Sequence, residues 1–84
     1  MTDYVSLVRG LILPLVVYPN DVVILKEEDE DSTININVSV NDLDFGRVIG
    51  KGGKIANAMR TIVYAAASKE NQKVKVNIGQ KSEE

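Results

Sequence analysis

The chain of 84 residues has no cysteine, no histidine and no tryptophan. Without cysteine there is neither a disulfide nor a thiolate metal site. Without histidine the commonest general base and metal ligand is gone, and Ser-His and Cys-His nucleophile pairs go with it. No catalytic constellation, metal site or cofactor site is expected. Aromatics are limited to Tyr4, Tyr18, Phe45 and Tyr64, too few for the base-stacking platforms of RRM or OB folds. The apolar run from Leu11 to Val17 is interrupted by Pro14 and too short to span a bilayer. No signal peptide is evident, so the expectation is a single cytoplasmic domain that does not engage membranes. At this length the core is marginal unless nearly every apolar residue is used or a second subunit adds burial.

The charges nearly balance but are segregated. The net charge is −2. Residues 1–40 hold seven acids (Asp3, Asp21, Glu27, Glu28, Asp29, Glu30, Asp31) against Arg9 and Lys26. Residues 45–75 hold seven cations (Arg47, Lys51, Lys54, Arg60, Lys69, Lys73, Lys75) against Glu70. Local field rather than total charge steers a polyanion, so the second half is where one would bind.

Thr2 or Asp3 caps a helix starting near Tyr4, with Leu7, Val8, Leu11, Ile12, Leu15 and Val16 at helical spacing. Pro14 is expected to kink it. Tyr18-Pro19-Asn20-Asp21 is a turn, and Val22–Leu25 a short strand. Glu27–Ser32 reads as an acidic, solvated loop, without the Gly and terminal Glu of an EF-hand. From Thr33 to Val40 apolar and polar residues alternate strictly, which predicts a strand with one buried face. Asn41–Asp44 caps a helix over about Leu43–Ile49, and a longer helix begins at Ile55. Val74, Val76 and Ile78 alternate as the last strand, and 79–84 is a polar tail, giving a core of about 4–78 within one domain. Two helices separate the last two strands, so these are parallel if adjacent, and all helices fall on one face of a three-stranded sheet.

The stretch Gly46-Arg47-Val48-Ile49-Gly50-Lys51-Gly52-Gly53-Lys54-Ile55 has three glycines in four positions at a helix start. Free N–H groups and the positive dipole end there favour an anion. A P-loop requires one more residue and a hydroxyl where Gly52 stands, and a dinucleotide fingerprint has different glycine spacing. The pattern present is I-G-x-x-G-x-x-I inside a β-α-α-β unit. It resembles the GXXG loop of a KH domain, and the extra helix and strand ahead of it resemble the type II arrangement: an α+β fold, α-β-β-α-α-β, with a three-stranded mixed sheet. Over essentially its whole length, and in Gly46–Lys51, Ile55 and Arg60-Thr61-Ile62-Val63, the chain is similar to the small bacterial single-KH proteins of the KhpA type.

That resemblance implies a non-catalytic single-stranded RNA binder, of RNA-chaperone or post-transcriptional-regulator type, with a link to bacterial cell shape. The implied RNA-contacting residues are Arg47, Val48, Ile49, Gly50, Lys51, Gly52, Gly53, Lys54 and Ile55. Val48, Ile49 and Ile55 are candidates for an apolar base groove, although the periodicity alone fits Ile49 and Ile55 equally to the core. It also implies that the acidic Glu27–Ser32 loop borders this groove. Between Ile55 and Ala67 the apolar arc spans roughly 200°, about twice a single buried stripe. The surplus predicts a helix-to-helix dimer through Ala58, Met59, Ile62, Val63 and Ala66, and the resemblance implies self-association or pairing with a larger Jag-type KH protein. The alternative is a protein-interaction subunit whose glycine loop is vestigial.

Overall fold

The computed structural model describes residues 2–81. Helix α1 (Tyr4–Ile12) is capped by Asp3, whose carboxylate accepts the Ser6 N–H at 3.1 Å and the Ser6 hydroxyl at 2.9 Å. It buries Tyr4, Val8 and Ile12, an i, i+4, i+8 stripe. Pro14 ends this helix rather than kinking it. With no N–H to continue the α-helical pattern, the chain tightens into a 3₁₀ turn over Leu13–Leu15. A second 3₁₀ turn, Pro19–Asp21, leads into β1 (Val23–Glu28). The strand is longer than expected, and Glu27 and Glu28 lie in it rather than in the loop, pairing with Asn35 and Ile34.

β2 (Ile34–Val40) is the central strand: antiparallel to β1, parallel to β3 (Val74–Gln80). Ile36 sits opposite Lys26 on one side and Val76 on the other. The expected alternation holds, with Ile34, Ile36, Val38 and Val40 buried and Asn35, Asn37 and Ser39 half-buried on the open face. There the amides of Asn77 and Asn37 join strand to strand at 3.1 Å. α2 (Asp42–Ile49) is capped by Asn41, which accepts the Leu43 N–H at 2.8 Å. α3 (Lys54–Lys69) completes the helical layer. Val8, Ile12, Ile36, Val40, Val48 and Val63 form the most buried part of one core between the helices and the sheet.

Two polar anchors fasten this layer. Asp44 on α2 is buried, and its two oxygens accept the N–H groups of Val17 and Tyr18, each at 3.0 Å. Glu70, just past α3, accepts the Thr2 N–H at 2.9 and 3.0 Å and the Tyr4 hydroxyl at 3.2 Å. Residues 79–81 do not belong to the expected frayed tail. Gly79 and Gln80 pair with Ser39 and Val40 in the sheet, and the Lys81 ammonium meets Asp21 at 3.2 Å. The rest of that tail, 82–84, lies outside the described residues.

Candidate nucleic-acid interface

The glycine stretch is the turn between α2 and α3. α2 closes with the Gly50 N–H on the Gly46 carbonyl at 2.9 Å, and a 3₁₀ turn over Lys51–Gly53 follows, with the Gly53 N–H on the Gly50 carbonyl at 3.1 Å. Gly50, Gly52 and Gly53 all have positive φ, of 76°, 64° and 80°. At Gly50 a side chain is excluded twice over. Besides the backbone angle, a Cβ there would stand 2.7 Å from Ile55 Cγ1 and 2.9 Å from the Ile55 nitrogen. Gly52 is the reverse case, since nothing lies within 4 Å of its would-be Cβ. It is the exposed tip of the turn. No side chain caps the N-terminus of α3, so its positive end faces outward between Lys51, Lys54 and Arg47, all three exposed. That arrangement suits a phosphate.

The residues expected to line an apolar groove divide. Val48 is fully buried in the core and offers no surface to a base. On a helix the residue that seals against the sheet cannot also face outward. Ile55 packs on the core beneath Gly50. Ile49 is half-buried and outside the core cluster, which leaves it as the apolar candidate beside the turn. The surplus arc of α3 divides in the same way. Met59 and Val63 belong to the core with Ala56 and Ala67, so they are removed from the expected dimer face. Ala58 and Ile62 are exposed and Ala66 is half-buried.

The acidic loop lies away from the glycine turn but beside the C-terminal half of α3, where Thr33 lines a cleft with Tyr64, Lys73 and Lys75. Asp29 and Asp31 accept the Thr33 N–H at 3.0 and 3.2 Å. Asp31 is pulled down to about 2, first by its hydrogen bond with the Asp29 carboxyl, then by the hydroxyl and N–H of Thr33, and least by Lys73. The Lys73 carbonyl in turn accepts the Ile34 N–H at 2.8 Å. The acids therefore sit at the end of the sheet where α3 finishes, whereas the glycine turn is where α3 starts. A helix of 16 residues is about 24 Å long, roughly three Debye lengths at physiological salt.

Residues outside the motif complete the surface. Arg60, one face with Gly53 and Asn57, donates from Nε to the Val76 carbonyl on the free edge of β3 at 3.1 Å and from Nη1 to Asn57 Oδ1 at 3.1 Å. It braces α3 to the sheet edge. Its spacing from Gly53, seven residues or two helical turns, was the available signal.

A family model described as KhpA/KhpB, KH domain, matches residues 5–78. The chain belongs to that family. The KhpA/KhpB family fold is the type II KH arrangement seen here, α+β with three strands in a mixed sheet. Curated relatives include "RNA-binding protein KhpA" of Listeria monocytogenes serovar 1/2a (strain EGD-e), 47% identical over 73 residues that cover 87% of this chain and 95% of that protein. The protein of the same name from Bacillus subtilis (strain 168) is 40% identical, covering 87% and 89%. Among solved structures, Era in complex with MgGDPNP and nucleotides 1506–1542 of 16S ribosomal RNA superimposes with a TM-score of 0.61 at 12% identity. That match covers 92% of this chain and 29% of Era, and at such identity the likeness is one of fold.

Proposed function

We propose that the chain is a non-catalytic binder of single-stranded RNA that grips the sugar-phosphate backbone with the Gly50–Gly53 turn. The observation that carries this reading is the turn itself: an uncapped helix N-terminus with an unobstructed glycine at its tip and three exposed cations around it. The relatives named as RNA-binding proteins support it. Lys51, Gly52 and Lys54 meet phosphates, Arg47 flanks them, and Ile49 lies against a base. With about three phosphates neutralised, log affinity falls by about 2 per log unit of salt. The double variant Lys51→Asp, Gly52→Asp tests the grip. Asp tolerates the left-handed backbone at Gly52 better than most residues, and both sites are exposed, so the fold stays intact. Affinity for a single-stranded RNA at low salt should fall at least tenfold. Unchanged affinity sinks the reading.

The protein acts in the cytoplasm as an RNA chaperone or post-transcriptional regulator, as a dimer through the outer face of α3. Ile62 is 47% exposed and lies between exposed Ala58 and half-buried Ala66 on one strip of the helix. It lies about 160° around the helix from both Arg60 and Tyr64 at about 100° per residue, so a dimer there leaves the RNA side open. The same face suits a larger KH protein of Jag type. Under the second reading this face is the whole function and the glycine turn is vestigial. RNA recovered by crosslinking in cells, lost in the Lys51→Asp, Gly52→Asp variant but retained in Ile62→Asp, decides for the first.

A further inference from the structure

The sheet ends at β1 on the side away from β3. The direction of the β1 backbone groups follows from β2. Ile34 turns its N–H toward β3, where the Lys73 carbonyl accepts it at 2.8 Å. Asn35, Asn37 and Ser39 therefore turn theirs toward β1, where Glu27, Leu25 and Val23 stand opposite them. The Asp29 N–H, on the Thr33 carbonyl at 3.0 Å, continues the same series. The alternate residues Ile24, Lys26 and Glu28 then point N–H and C=O outward from the sheet edge. Val23 and Leu25 share the open face of the sheet with Asn37 and Ser39 and are 46% and 56% exposed. Just beyond them stand three more exposed side chains, Glu27, Glu28 and Glu30. Asp29 and Asp31 are tied to Thr33, whereas these three glutamates make no hydrogen bond or ion pair among the described residues.

We propose that the β1 edge takes an extended, basic segment of another protein as a fourth strand, antiparallel to β1. The inference is independent of the RNA-binding reading above. An added strand satisfies the outward N–H and C=O groups of Ile24, Lys26 and Glu28. Side-chain chemistry then selects the strand, because residues directly opposite one another favour apolar pairs and opposite charges. In an antiparallel strand the residues that meet Glu30, Glu28 and Glu27 come first, and those that meet Leu25 and Val23 follow, two positions apart. The segment recognised is therefore a cluster of Lys or Arg followed by alternating apolar residues. A second copy of β1 does not fit this pattern. Its own order is the reverse, Val23-Ile24-Leu25 ahead of Glu27-Glu28, so antiparallel self-pairing sets apolar residues against acids at both ends. The free glutamates also repel a nucleic-acid strand, which leaves a basic peptide as the occupant.

The test follows backbone amide NMR spectra and hydrogen exchange of the full chain with the synthetic peptide Lys-Lys-Lys-Thr-Val-Thr-Val, added up to about 1 mM. Bound peptide should slow exchange at the Ile24, Lys26 and Glu28 amides several-fold and leave the glycine turn unchanged. A peptide with serine in place of both valines keeps the charge and should bind about tenfold more weakly. Replacing Glu27, Glu28 and Glu30 by Gln should weaken the original peptide at least tenfold. Lys26→Pro removes one outward N–H without touching a bond to β2, and it removes a positive charge as well. Strand addition predicts that this variant loses the peptide, whereas attraction by charge alone predicts that it gains affinity. If Lys26→Pro does not fold, exchange in the parent decides by itself. No peptide-dependent shift, equal binding of the serine peptide, a gain in Lys26→Pro, or unslowed exchange at Lys26 and Glu28 in the bound state each overturns the inference. Protection of these amides in the free chain that is lost on dilution would put a second copy on the edge and overturn it too.

Discussion

Glycines with similar backbone angles at the turn do different jobs. Gly50 allows α3 to start against α2, because Ile55 occupies the space where any Cβ would go. Gly50→Ala must shift a core-packed isoleucine and hold a left-handed alanine, at a cost of about 2–4 kcal/mol. Gly52→Ala meets no atom and loses only the left-handed preference, about 1 kcal/mol. Urea denaturation of the two variants should therefore separate them clearly, and equal midpoints would contradict this division of roles. Asp44 is the other residue on which the fold leans. It reads in the sequence as a turn and capping acid, and it is instead a buried acceptor for two loop N–H groups. Asp44→Ala should cost about 2–4 kcal/mol in the same assay, with no direct effect on RNA contacts at the glycine turn.

At the level of elements, α3 carries three jobs on one cylinder. One stripe (Ala56, Met59, Val63, Ala67) seals the core. A second, through Arg60, braces β3. The third, with Ala58 and Ile62, is apolar and uncovered. Ile62→Asp should leave the thermal midpoint of the monomer nearly unchanged, since exposed substitutions stay within about 0.5 kcal/mol. It should turn a sedimenting dimer into a monomer, and a parent that sediments as a monomer at the same concentration rules out the dimer face. Val63→Asp, by contrast, places an unpaired charge in the core and should unfold the domain.

Across the whole molecule the acidic loop and the glycine turn lie at opposite ends of α3, with Lys69 and Lys73 standing at the acidic end. Replacing Glu27, Glu28 and Glu30 by Gln should change affinity for a four-nucleotide RNA by less than twofold at about 0.15 M salt. A larger gain would mean the loop and the turn are closer than the fold makes them. The carboxylates also set the acid limit of stability. Hydrogen bonds hold several below their ordinary range: Asp3 through Ser6, Asp21 through Asn41 and then Lys81, Glu70 through Thr2, and Asp31 at about 2. A carboxylate with a depressed folded pKa binds protons more readily in the unfolded chain. It therefore adds stability above about pH 4 and loses it as pH falls toward the folded value. The thermal midpoint should be flat from about pH 6 to 8 and decline below about pH 4, continuing toward pH 2. A midpoint that rises on acidification would contradict these contacts.

Local pattern alone determined the order of elements, the alternation of β2, the helix caps and the position of the glycine turn, because each depends on residues a few positions apart. It also carried the motif by which the KH family is legible. What only tertiary structure decided is which of several equivalent faces is used. A helical wheel cannot tell the edge of the α3 arc that meets the sheet from the edge left over, so Met59 and Val63 were indistinguishable from Ile62 until packing placed them. Val48 and Ile49 are adjacent in the chain, yet one is sealed in the core and the other is not. The distance from the acidic loop to the glycine turn likewise follows from α3 running back along the parallel pair β2 and β3. That long-range crossover is set by burial of the whole helical layer rather than by any local run of residues.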